Sequence, residues 1–264
     1  MAKIRVLVNG AKGRMGQEVV RAVRAEGDLE LVGETDFGDD VERSIRTKGA
    51  EVVVDFTQPD VAIENVEKIL RAGACPVVGT TGFLPADVER LQDAAAKLER
   101  GGLIAPNFAL GAVLLMKFAA EAVRYFPDVE VIELHHEQKI DAPSGTAMKT
   151  IEAIRRALDG ALEEALDDRR ASQAEPPASD DRPQEKETVP GSRGGRYLGI
   201  PVHSVRLPGY VAHQEVLFGG PGQMLTLRHD SPSRSSFMPG VILAVRKVPR
   251  MNQLYYGLEE ILDL

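Results

Sequence analysis

From residue 4 to residue 79 the chain alternates short runs rich in β-branched apolar residues (4–8, 29–33, 52–56 and 76–78) with amphipathic stretches (14–25 and 61–72). A short apolar run satisfies its backbone only beside other strands, and a stretch with a 3.6-residue period lays one face on them. That alternation indicates βαβ units and a parallel sheet. The pattern continues through a helix at 85–98, with Val88, Leu91, Ala95 and Leu98 on one face, and a strand at 102–105.

Beyond Pro106-Asn107-Phe108 the order changes. A helix is expected at 111–125, a strand at 129–134, and a helix carrying Ile151, Ile154, Ala157, Leu158 and Leu162 in register. Strands follow at 200–207, 211–218 and 224–228, the last two joined as a hairpin through Gly219-Gly220-Pro221-Gly222. This is a second domain of α+β type. The polar stretch 168–196 reads as a mobile surface loop. Residues 238–245 and 254–264 read as helical and apolar enough to return to the first domain. The expected division is 1–108 with 236–264, and 109–235. A length of 264 residues suits two such domains.

Charge excludes some partners. With 32 basic and 40 acidic residues the net charge is −8, so nothing grips a phosphate backbone and no nucleic-acid partner is expected. No apolar run is long enough to span a bilayer, and residues 1–8 run straight into a strand without the features of a signal peptide. The expectation is a cytoplasmic protein without a membrane partner. Its one cysteine, Cys75, forms no intrachain disulfide and reads as a small buried residue starting a strand.

Gly10-Ala11-Lys12-Gly13-Arg14-Met15-Gly16 follows the first strand and opens a helix. Glycines there permit a tight turn and close approach of backbone to a pyrophosphate, and the helix start supplies N–H groups. Asp36 stands 20 residues past the last glycine, where an acid is expected to bind the adenosine ribose. The other reading of these residues is an ordinary βα turn with a solvated Asp36. A carboxylate at position 36 repels a 2′-phosphate, whereas Lys12 and Arg14 compensate one. The expected cofactor is thus NADH or NADPH, with dual use and an NADH bias. Gly79-Thr80-Thr81-Gly82 and Ala105-Pro106-Asn107-Phe108 fall where strand ends would line the same crevice, although each taken alone is a turn.

The segment Glu133-Leu134-His135-His136-Glu137-Gln138-Lys139-Ile140-Asp141-Ala142-Pro143-Ser144-Gly145-Thr146-Ala147 holds two imidazoles and an ammonium at a strand-to-helix junction. Successive strand residues point to opposite faces, so His135 and His136 do not share one ion, and no metal is expected. Ser144 or Thr146 caps the helix, and the N–H groups at its start make a carboxylate receptor. Simple capping without a ligand uses the same residues.

Together, the glycine turn, Asp55-Phe56-Thr57, Gly-Thr-Thr-Gly, Ala-Pro-Asn-Phe and the His-His-x-x-Lys-x-Asp-Ala-Pro-Ser-Gly-Thr-Ala junction resemble the 4-hydroxy-tetrahydrodipicolinate (dihydrodipicolinate) reductase family of diaminopimelate and lysine biosynthesis. The resemblance runs nearly end to end and includes the segment from Gly209 through His213 to Phe218. It departs at Ala109, where many relatives carry serine. It implies a Rossmann-type parallel-sheet domain hinged to a smaller α+β substrate and oligomerisation domain, whose mixed open sheet builds a homotetramer. It also implies NAD(P)H-dependent reduction of a small cyclic dicarboxylate after loss of water. By that resemblance His135 donates or accepts the proton, Lys139 is a second donor, and His136, Ser144, Gly145 and Thr146 contact substrate. Two other readings stand beside it: another nicotinamide oxidoreductase acting on a small dicarboxylate or semialdehyde, and a non-catalytic dinucleotide sensor. The sensor needs neither His135 nor Lys139. If the cofactor turn and the substrate turn lie in different domains, closure is expected to exclude water during hydride transfer.

Overall fold

The computed structural model describes residues 2–172 and 186–262. In chain order the elements are β1 (Ile4–Asn9), α1 (Arg14–Ala25), β2 (Leu29–Thr35), α2 (Val41–Lys48), β3 (Val52–Asp55), α3 (Pro59–Arg71), β4 (Cys75–Val78), α4 (Pro85–Lys97), β5 (Gly102–Ile104), α5 (Leu110–Ala122), β6 (Asp128–His135), α6 (Gly145–Ser172), β7 (Gly195–Tyr197), β8 (Ile200–Arg206), β9 (Ala212–Gly220), β10 (Gln223–Ser231), α7 (Met238–Lys247) and β11 (Leu254–Tyr256). They form two units: the chain up to Val113 with the chain from Ser233 onward, and Leu114–Pro232.

The first unit holds a six-stranded sheet in the order β11-β5-β4-β3-β1-β2, parallel throughout. Every residue of β3, β4 and β5 is buried, which is why these strands read as continuous apolar runs rather than alternating ones. Helices supply the cover: α1 buries Val19, Val20 and Val23, and α3 buries Val66, Ile69 and Leu70. Cys75 opens β4, buried, and that burial raises its thiol pKa. In the C-terminal segment the Arg246 guanidinium reaches Glu26 at 2.6 Å and Asp28 at 2.8 Å, tying α7 to the α1–β2 connection.

The second unit is a mixed five-stranded sheet, β10-β9-β6-β8-β7, in which only β6 and β8 run parallel. Strand β6 alternates, burying Val129, Val131 and Glu133, because one face of the sheet is covered and the other open. Leu115, Ala119 and Val123 of the α5 segment pack onto the covered face together with Ala147, Ile151 and Ile154 of α6.

Three expectations need correction. The segment 254–264 is not a helix: Leu254–Tyr256 pairs in parallel with β5, Gly257 turns the chain at φ 111°, and only Leu258–Ile261 coils, as a 3₁₀ turn. The open edge of β5 claims three residues that local propensity would leave free. The polar stretch is not all loop, because α6 runs through Ser172; its last three turns are rich in Glu, Ala, Leu and Arg, which favour helix whatever their polarity. Of the remainder, residues 173–185 lie outside the described residues, and Gly195–Tyr197 is a strand paired with β8. Helix α2, absent from the sequence reading, is framed by the Asp40 side chain, which accepts the Arg43 N–H, and by Gly49 in the left-handed region.

Candidate active site

The first unit assembles its polar residues at the carboxyl ends of its strands. Chain connections leave the sheet in opposite directions on either side of the β1–β3 neighbours, so a crevice opens there. A cleft of about 320 Å³ is lined by Gly10, Gly13, Asp36, Phe37, Phe56 and Thr57, among others. Gly10 has φ +79°, and a Cβ on it would lie 2.6 Å from the Phe56 carbonyl oxygen; a Cβ on Gly16 would lie 2.0 Å from the Gly10 carbonyl oxygen. Side chains at either position would displace backbone, so the turn exists only with glycine.

The turn's own N–H groups divide into two sets. Those of Gly10 and Ala11 donate to the Thr35 carbonyl, and that of Lys12 donates to the Asp36 carboxylate at 2.8 Å. No side chain caps α1, so the N–H groups of Arg14 and Met15 open the helix towards the crevice. The N–H bonds from Lys12 and Phe37 hold the Asp36 carboxyl below its ordinary pKa, ionised and fixed in direction. Phe37 beside it is 99% exposed.

Asp55 is the residue that the sequence reading left without a role. Fully buried at the end of β3, it accepts hydrogen bonds from Asn9 (2.7 Å), Asn65 (3.0 Å), the Thr57 hydroxyl (2.7 Å) and N–H (3.1 Å), and Thr80 (3.3 Å). Thr35 donates in turn to Asn9 at 2.8 Å, so one carboxylate ties together the ends of four strands. Gly79 and Thr80 follow β4, and Ala105 and Pro106 follow β5, at the same end of the sheet. Thr81 is exposed; Ala105 and Phe108 are buried, with the Phe108 ring against Phe56 at 5.9 Å between centroids. Asn107 Oδ1 accepts the Ala109 N–H at 2.8 Å and so shapes the start of α5.

In the second unit the strand period places Val129, Val131, Glu133 and His135 on one face of β6. Glu133 has no solvent exposure. Its carboxylate accepts from His135 Nδ1 at 2.5 Å, from Arg206 Nη1 at 2.9 Å and Nη2 at 2.6 Å, and from the Ser144 N–H at 3.3 Å. Burial alone would raise its pKa; the bonds from His135, Arg206 and Ser204 outweigh that and hold it at about 2. An ionised carboxylate donates nothing, so the shared proton sits on His135 Nδ1, and Nε2 is the ring nitrogen left to face away from the pair.

The other residues of the junction surround this pair. His136 lies one position past the strand, half-exposed. The Lys139 ammonium donates to both oxygens of Asp141, at 2.7 and 2.8 Å, and thereby holds the Asp141 carboxyl below its ordinary pKa. Ser144, not Thr146, is the cap: its Oγ accepts the Ala147 N–H at 3.2 Å. Gly145 and Thr146 provide the N–H groups at the start of α6, where the helix dipole favours an anion. The sequence reading missed Arg206, which also donates to the Asp141 carbonyl at 2.7 Å and so joins β8 to the turn.

A parallel sheet with a glycine-only turn, an oriented acid after its second strand and an uncapped helix start defines a Rossmann-type dinucleotide-binding unit. Here the same chain carries an α+β unit with a histidine–carboxylate pair. Family models described as the N-terminus and the C-terminus of dihydrodipicolinate reductase match residues 4–108 and 111–262, and the chain belongs to that family. The 4-hydroxy-tetrahydrodipicolinate reductase of Desulfitobacterium hafniense (strain DSM 10664 / DCB-2) is 45% identical over 284 residues, covering 100% of both chains. That of Streptococcus uberis is 47% identical and covers 98% of this chain and 99% of its own. A solved dipicolinate-bound dihydrodipicolinate reductase from Paenisporosarcina sp. TG-14 superposes with a TM-score of 0.83 at 41% identity, over 98% of this chain and 100% of that one.

Proposed function

We propose that this chain catalyses NAD(P)H-dependent reduction of 4-hydroxy-tetrahydrodipicolinate to tetrahydrodipicolinate in diaminopimelate and lysine biosynthesis. Full-length similarity to reductases of that name supports the reading, as does the dipicolinate bound to the Paenisporosarcina relative, a planar cyclic dicarboxylate. The observation that carries it is the second unit's pairing of an oriented imidazole with a helix start, the two groups that proton transfer to a dicarboxylate ring requires.

The first unit is the cofactor domain and the second the substrate and oligomerisation domain. Gly10 to Met15 receive the pyrophosphate, Asp36 the adenosine ribose, and the loops at Gly79, Thr80 and Thr81 and at Ala105 to Phe108 the nicotinamide end. The glycine turn, whose tight course leaves no room for a Cβ at Gly10 or Gly16, fits such a group. When bound, the dihydronicotinamide supplies a hydride from its C4, and the substrate hydroxyl departs as water.

His135 moves the proton through Nε2, and Lys139 exchanges Asp141 for a substrate carboxylate and serves as second proton donor. Gly145 and Thr146 hold a carboxylate at the start of α6, bounded by Ser144 and His136. Asp36 disfavours a 2′-phosphate and no arginine follows it, since Phe37 stands there; the cofactor is NADH or NADPH with a bias to NADH. The working form is a cytoplasmic homotetramer built through the open face of the second sheet, where Glu130, Ile132 and Leu134 are only half-buried.

The test follows cofactor oxidation at 340 nm with substrate generated from pyruvate and aspartate semialdehyde by the preceding synthase. Turnover with both cofactors and a lower KM for NADH is the expected result. Lys139→Ala and His135→Gln should each lower kcat by about 100-fold or more while leaving NADH binding unchanged. Wild-type turnover in either variant removes that residue from the mechanism, and no oxidation of either cofactor by the parent protein refutes the activity.

A further inference from the structure

We propose that Glu133, clamped by Arg206, is a positioning residue that sets the tautomer of His135 and locks its ring to the anion-binding turn. The proposal rests on the reading of His135 as the proton-transfer group. An acid occurring in phase with Val129 and Val131 is driven into the interior by the strand period, and a lone buried carboxylate is untenable there. A structural ion pair with Arg206 would satisfy it. The carboxylate here does more, because two of its donors belong to the candidate chemistry: the ring nitrogen of His135 at 2.5 Å and the Ser144 N–H at 3.3 Å.

A carboxylate has about four acceptor sites. Arg206, Ser204 and Ser144 all donate to it, so the direction left for His135 Nδ1 is determined by groups on β8 and at the head of α6. Imidazole and turn therefore move together or not at all. Ser144 also caps α6 through its hydroxyl, so the residue that ends the carboxylate's coordination begins the helix whose first N–H groups face an anion.

The neighbouring charges decide how far proton affinity is biased. Arg206, on β8, compensates Glu133, and Ser204, opposite Glu133 on the same strand, adds a neutral donor. Gln214, opposite on β9, is neutral and donates to Thr150 of α6 at 2.8 Å. Lys139 and Asp141 in the turn neutralise each other. With Glu133 already balanced by Arg206, its effect on His135 is directional more than basic. The imidazole is held with Nε2 outward and remains able to release a proton, as in catalytic sites where an orienting carboxylate fixes the tautomer without accepting the proton itself.

The experiment combines ¹⁵N spectra of the histidine rings with steady-state kinetics of the parent and of Glu133→Gln, using His135→Gln to assign the ring signal. The expected spectrum shows His135 protonated at Nδ1 near neutral pH. In Glu133→Gln that signature is lost and kcat falls about 100-fold, with NADH affinity within about twofold of the parent. Arg206→Lys, which keeps the charge, should retain the Nδ1–H signature. An Nε2–H tautomer in the parent overturns the proposal, as does parent-like kcat in Glu133→Gln. If Glu133→Gln does not fold, the parent's tautomer alone decides. Full turnover by His135→Gln refutes the proton-transfer reading itself, whereas an inactive His135→Gln beside a fully active Glu133→Gln refutes only the positioning role.

Discussion

Replacing Glu133 by glutamine should destabilise the second unit in a manner that fades with acid. The carboxyl, ordinarily near 4.5, is held at about 2 in the folded protein. The gap of about 2.5 units, at about 1.4 kcal/mol each, makes ionised Glu133 worth about 3 kcal/mol of stability to the fold. Because the folded value is depressed, that stabilisation is present above pH 4.5 and is lost as pH falls through about 2; by pH 3 about 2 of the 3 kcal/mol should be gone. Glutamine does not titrate, so the difference between parent and variant must shrink in the same window. Asp141 and Asp230, also depressed, titrate in both proteins and cancel. Urea unfolding followed by far-UV circular dichroism, with hydrogen exchange of the β6, β8 and β9 amides to assign the transition, measures that difference at pH 7 and pH 3. Equal differences at the two pH values, within about 0.5 kcal/mol, would falsify the claim that Arg206 and His135 hold this carboxyl ionised.

Two further outcomes follow from the first unit. Gly16→Ala would place a Cβ 2.0 Å from the Gly10 carbonyl oxygen, so α1 must shift away from the turn; NADH affinity measured by fluorescence titration should fall about tenfold or more, and an unchanged Kd would show that the cradle is not the binding site. Asp55→Ala would strand the donors of Asn9, Asn65, Thr57 and Thr80 in the interior, and thermal unfolding should show a loss of about 3 kcal/mol together with weaker NADH binding; a variant as stable as the parent would contradict the hub role of that carboxylate.

What the sequence discloses depends on how locally each feature is encoded. The strands of the parallel sheet are legible because burial on both faces demands unbroken apolar runs, as in Val52–Asp55 and Cys75–Val78. Helix α2 is less so: it is short, charged, and buries only Val41 and Ile45, yet Asp40 and Gly49 were readable as its cap and stop. Strand β11 was beyond local reading, since Leu254, Tyr255 and Tyr256 become a strand only by pairing with Gly102, Leu103 and Ile104.

The candidate site divides along the same line. The glycine turn, Asp36, His135, Lys139 and Ser144 announce themselves through spacing within one βα or strand–helix junction. Glu133 carried a readable signal as well, an acid in the buried phase of β6, which by itself demands a cationic or donor-rich partner. The identity of that partner is non-local. Arg206 lies 73 residues away and meets Glu133 only because β8 pairs in parallel with β6, in a register that sets His135 opposite Arg206. Shifting β8 by one residue would turn Arg206 to the open face of the sheet and leave a buried charge unpaired. The sheet's register and the histidine's orientation thus constrain one another: the pairing that buries Val202 also brings the guanidinium that keeps Glu133 ionised, and an ionised Glu133 is what puts the proton on His135 Nδ1.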